Sequence, residues 1–118
     1  MILAAVDDLM FASKISTAAR QVGADVIFVR SPDDVLQQAR SSKPQLVIFD
    51  LNSRRMDPIA TIAALKADPD SARVRTLGFV SHVQTEIIEA ARRAGVDEVL
   101  ARSAFSARLA EILRPEGP

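Results

Sequence analysis

Two hydrophobic periods alternate along the chain. Apolar runs of strand length occur at Ile2–Val6, Asp25–Val29, Leu46–Phe49, Thr76–Val80 and Val96–Leu100. Between them, apolar residues recur at helical spacing. Phe11, Ile15, Ala18, Ala19 and Val22 form one stripe, and Gly23 follows as a stop. Ser31 as N-cap, Pro32 at the first helical position and the acids Asp33 and Asp34 mark a second helix start. Asp57 and Pro58 repeat that scheme for a third. Ile87, Ile88, Ala91 and Ala94 line a fourth, which stops at Gly95, and "SARLAEIL" predicts a closing helix. Asp68–Arg75 is the longest polar connection. No internal repeat or low-complexity tract interrupts the alternation.

Strands separated by helices must run parallel, with right-handed crossovers and helices on both faces. The expected fold is therefore α/β, a flavodoxin-like (βα)5 three-layer sandwich with parallel sheet order 2-1-3-4-5. Residues 1–118 are expected to form a single domain, with "RPEGP" as a short tail. In such sheets ligands bind outside the carboxyl ends of the strands, where strands 1 and 3 diverge.

Composition narrows the choice of chemistry. The 118 residues are 48% hydrophobic, enough for a core, and carry no net charge. Arginines are interleaved with acids, so nucleic acid is not an expected partner. The lack of cysteine excludes disulfides and thiolate metal sites, and one histidine excludes a multi-histidine centre. No apolar run approaches the ~20 residues of a membrane span. The start, "MILAAVDD", does not read as a signal peptide. The expectation is a soluble cytoplasmic protein.

The predicted carboxyl ends hold Asp7 and Asp8 after strand 1, Asp50 after strand 3, Ser81 and His82 after strand 4, and Arg102 after strand 5. Three carboxylates at one rim repel one another, and a hard divalent cation such as Mg²⁺ would relieve that repulsion. A carboxylate beside it can act as a nucleophile towards phosphorus. Ser81 offers a hydroxyl and Arg102 a cation for phosphoryl oxygens. Each residue also has an ordinary role open to it. Asp8 can cap the first helix, Asp50 can form a turn, Ser81 can cap the fourth helix, and Arg102 can be a surface cation.

These stretches resemble the receiver domain of two-component response regulators (CheY-like) over essentially the whole chain. "ILAAVDD" is similar to that family's first strand and acidic pair. "LVIFDLNSRRMDP" is similar to its phosphoacceptor strand and loop, "D-x-x-x-P-x-M-D-G", with Asp50, Met56 and Asp57 in register. The resemblance implies that Asp50 is the phosphoacceptor and that Asp7, Asp8, Asp50 and the Asn52 carbonyl hold Mg²⁺. It also implies that Ser81 contacts the phosphoryl group. It further implies a histidine kinase or phosphotransfer protein as donor and a downstream protein as target. A weak homodimer through helix 4, strand 5 and helix 5 would use the mixed charges between Glu86 and Glu111. The chain would be a signalling module, not an enzyme.

Several positions depart from the pattern. Arg54 replaces a proline and Pro58 a glycine. Where the family has Lys-Pro after strand 5, this chain reads "ARSAF", with Arg102 at the lysine position and one extra residue before Phe105. Arg keeps the charge, but its planar fork is not a compact ammonium. Val99 stands at the aromatic switch position, and His82 where a small residue is usual. A pseudo-receiver, signalling through a phosphorylation-independent contact, is therefore the alternative. A haloacid-dehalogenase-type phosphohydrolase would want Asp where Asn52 stands. A flavodoxin would want a phosphate-binding first turn, and here that turn is acidic.

Overall fold

The computed structural model describes residues 1–81 and 84–115. Its elements are β1 Ile2–Ala5, α1 Leu9–Val22, β2 Val26–Phe28, α2 Pro32–Ser42, β3 Leu46–Asp50, α3 Pro58–Ala67, β4 Arg75–Val80, α4 Thr85–Ala94, β5 Glu98–Ala101, α5 Arg102–Ala107 and α6 Leu109–Leu113. The five strands form one parallel sheet in the expected order β2-β1-β3-β4-β5. Among the described residues no helix is long and apolar enough to cross a membrane.

The central strands are buried throughout, because helices cover both faces. Leu3, Val47 and Phe49 face one core with Val35 and Ala39 of α2, Ile62 and Leu65 of α3 and Ala91 of α4. Ile2, Ala4, Ile48 and Phe79 face a second with Phe11 and Ile15 of α1, Phe105 of α5 and Leu109 and Leu113 of α6. This period-two alternation sends Asp50, in step with Leu46 and Ile48, towards the side of α1 and α5.

Several helix signals behave as expected. Ser31 accepts from the Asp34 amide at 3.1 Å with Pro32 behind it. Gly23 and Gly95 end α1 and α4 in the left-handed region, at φ 70° and 107°.

Four details differ from the sequence expectation. Asp57 precedes α3 but sits at φ +41° and makes no side-chain cap bond, so it does not repeat the Ser31 scheme. Ser81 does not cap α4, which begins only after Gln84. β5 starts at Glu98 rather than Val96. The Val96 amide is taken by the end of α4, and Asp97 is drawn to Thr76. The closing helix begins at Arg102, directly after β5, and is offset at Arg108 (φ −101°, ψ 10°) into α5 and α6. With no proline after Arg102, nothing forces a loop there.

Candidate functional site

The rim is built by register. Ala5 pairs with Phe49, Asp50 with Phe79 and Val80 with Ala101, so the chain leaves β1, β3, β4 and β5 at one level. Asp7, Asp8, Asp50, Ser81 and Arg102 all lie along this edge, as the sequence predicts. His82 lies outside the described residues.

Asp50 is only 6% exposed. Its Oδ1 accepts the Asn52 amide at 2.9 Å, an Asx turn, so the ordinary turn role is filled here too. Burial pushes its carboxyl above the usual range. The Asn52 amide and the Arg102 charge oppose that rise, and the Asp7 and Asp8 charges add to it.

Asp8 also does two things. Its Oδ1 accepts the Phe11 amide at 3.1 Å and caps α1, while its Oδ2 pairs with Arg102 Nη2 at 2.9 Å. The Phe11 amide bond, joined by Arg102, holds its carboxyl below the usual range in spite of partial burial. Asp7 is exposed beside it.

Arg102 is the hub of this edge. Its guanidinium lies 4.7 Å from the centre of the Phe11 ring, within cation–π range. Its Nε is buried and finds no hydrogen-bond partner among the described residues. Beneath it Phe11, Phe79 and Phe105 form a cluster with ring centres 4.6–5.6 Å apart. Arg102 and Phe105 are three residues apart on α5 and so share a helical face. The face that buries Phe105 is the one that sends Arg102 across to α1. This aromatic floor was not anticipated from sequence, although the Arg-x-x-Phe spacing carries the signal.

Asn52 was expected to offer its carbonyl to a metal. Its side chain has a further role. Oδ1 accepts from the Ser81 amide at 2.9 Å and the Ser81 hydroxyl at 3.1 Å, and Nδ2 donates to Gln84 Oε1 at 2.7 Å. Asn52 therefore ties the loop after β3 to the loop after β4, and the Ser81 hydroxyl is engaged there. Val99 faces the α2–α3–α4 core, away from Arg102.

The donors suit Mg²⁺ in kind, being carboxylates and a carbonyl. They do not suit it in arrangement. Among the described residues no three acidic or histidine side chains gather closely enough to hold a metal ion. An open groove of about 740 Å³ runs beside Arg102 between α1 and α5, edged by Lys14, Ser81, Ser103 and Ser106.

No family model matches the sequence, and no curated protein does. Solved structures are similar over nearly the whole chain. The phosphorylated cyanobacterial phytochrome response regulator RcpA is 24% identical with a TM-score of 0.79, covering 96% of this chain and 87% of that one. A response regulator from Hahella chejuensis is 17% identical with a TM-score of 0.84, covering 95% and 90%. The receiver domain of the sensor histidine kinase PA1611 from Pseudomonas aeruginosa, with magnesium coordinated in its active-site cleft, is 20% identical with a TM-score of 0.82, covering 95% and 92%. The chain has the receiver fold of response regulators.

Proposed function

We propose that this chain is a receiver module of two-component signalling whose Asp50 accepts a phosphoryl group from a histidine kinase or phosphotransfer protein. The observation that carries this is Asp50 itself, a carboxylate buried at the end of the central strand and raised in basicity by that burial. A more basic carboxylate is a better nucleophile. In the transfer, an Asp50 oxygen forms a bond to phosphorus, the donor's phosphorus–nitrogen bond breaks, and the departing imidazole keeps the electron pair. Arg102 supplies N–H donors for the phosphoryl oxygens. The Ser81 hydroxyl joins them on leaving Asn52.

The product stays on the protein, so the module signals by protein contact and does not turn over substrate. Leu9 and Met10, 85% and 82% exposed at the start of α1, give a partner apolar contact beside the rim. A weak homodimer would rest on Glu86, Glu89, Arg92 and Arg93, which are exposed on α4.

A second reading, the pseudo-receiver, is favoured by one observation: two pairs of rim side chains already engage each other, Asp8 with Arg102 and Ser81 with Asn52. Intact mass after incubation with acetyl phosphate, with and without Mg²⁺, separates the two. A phosphoryl adduct on the wild type that is lost in Asp50→Asn supports the receiver. No adduct under either condition rejects it in favour of the pseudo-receiver. Sustained hydrolysis of an aryl phosphate would contradict both.

A further inference from the structure

We infer that Arg102 is the resident counter-ion of the acidic rim, holding at Asp8 the position that a divalent cation would need. The inference rests on the rim being the receiver site proposed above and concerns how its charge is balanced. Three observations on different elements carry it.

The first is the ion pair. Arg102 Nη2 meets Asp8 Oδ2 at 2.9 Å, and the other Asp8 oxygen is committed to capping α1. A metal ligated by Asp8 Oδ2 would stand beside the guanidinium, and like charges at that distance repel. The second is the seating of the guanidinium. It rests on the Phe11 ring, 4.7 Å from its centre, and is carried by the helical turn that stacks Phe105 against Phe79 at 4.6 Å. A lysine at 102 would lack the planar fork that lies on that ring and reaches Asp8. The third is the backbone. β5 passes straight into α5, so Arg102 is a helical residue with a fixed direction and not part of a flexible loop.

A cation built into the chain and a divalent cation from solution then compete for one carboxylate. The metal must bind against the Arg102 charge or push it aside, and its apparent affinity falls by that cost. Arg102 offsets one of the rim's three carboxylate charges without metal, whereas a site of three bare carboxylates would rely on metal for all of them.

The test is Mn²⁺ binding, measured by electron paramagnetic resonance on the wild type, Arg102→Met, Arg102→Gln and the double variant Arg102→Met/Asp8→Asn, with no phosphoryl donor present. Arg102→Met should bind Mn²⁺ about two- to fivefold more tightly than wild type, the scale of one partly exposed ion pair. Its melting temperature should rise on adding Mg²⁺ by more than that of wild type. Adding Asp8→Asn to Arg102→Met should abolish the gain. If Arg102→Met does not fold, Arg102→Gln, which keeps a polar side chain without the charge, is judged by the same criterion. Equal affinities, or tighter binding by wild type, would overturn the inference. The phosphoryl-transfer reading is tested separately, by the acetyl phosphate adduct, so either can fail alone.

Discussion

Asp50 and Asp8 are both strand-end aspartates, yet their surroundings move them in opposite directions. Asp50 is raised chiefly by burial, so its ionised form is the costly one in the folded protein. Above the unfolded value of 3.8 that cost opposes folding, and it is complete once pH exceeds the folded value. Below 3.8 both states are protonated and the cost vanishes. Asp50→Asn keeps an oxygen for the Asn52 amide and removes the charge. It should stabilise the protein at pH 7 by about 1 kcal/mol, a rise in Tm of roughly 3–6 °C. The gain should shrink as pH falls and disappear below 3.8 in thermal melts. Loss of stability at pH 7 would make Asp50 a structural residue. Asp8 has the opposite sign. Its lowered value adds stability above 3.8, lost as pH falls through the folded value. Asp50 itself was legible in the sequence, because an apolar run that stops at a carboxylate places it at the rim. The side-chain partners of Asn52 were not, because Ser81 and Gln84 lie about thirty residues away and meet it only through register.

Among the elements, β4 and the turn after β3 determine where the rim groups sit. Leu51, just past Asp50, folds over Gly78 of β4. A Cβ at Gly78 would stand 2.8–2.9 Å from three Leu51 side-chain carbons. The Leu51 amide also donates to the Phe79 carbonyl at 3.0 Å. Together these carry Asn52 across to Ser81. Gly78→Ala should therefore overpack this turn and destabilise the protein by about 1–3 kcal/mol, read as a lower Tm. Where the strain passes into the Leu51 backbone it should also slow any Asp50 phosphorylation, since Asp50 and Asn52 flank that residue. An unchanged Tm would mean that Leu51 finds another rotamer at no cost. The junction of β5 and α5 shows the limit of pattern reading at this scale. The helical period of "SARLAEIL" located the end of the closing helix. Its start depended on what Arg102 and Phe105 could pack against, namely Phe11 of α1 and Phe79 of β4.

At the scale of the molecule, charge is balanced largely within the chain. Glu98 pairs with Arg75 at 3.5 Å and with Arg108 at 3.4 Å, Arg108 also reaches Glu111 at 3.7 Å, and Lys66 meets Asp97 at 3.0 Å. Much of the mixed charge that the sequence offers to a two-fold interface is thus engaged already. Each such exposed pair contributes only ~0–1 kcal/mol, so pairing across a dimer gains little more. Sedimentation velocity should find a monomer at micromolar concentration. Any dimer at high concentration should weaken with added salt, since its remaining contacts are screened charges. A salt-resistant dimer would point instead to the apolar pair Leu9 and Met10.

The alternation of strand and helix periods pointed to the fold, to this strand order as its simplest arrangement and to the edge at which the rim residues gather. Those features follow from local periodicity and from the handedness of parallel crossovers, which depend on little beyond neighbouring residues. The place of Asp50 at that edge followed too. What only the tertiary structure decided is how the rim's charges are shared. Arg102 reaches Asp8 across ninety-four positions of sequence, and Asn52 reaches Ser81 across twenty-nine. Such pairings depend on helix direction, sheet register and an aromatic floor drawn from three elements, none of which a linear spacing encodes.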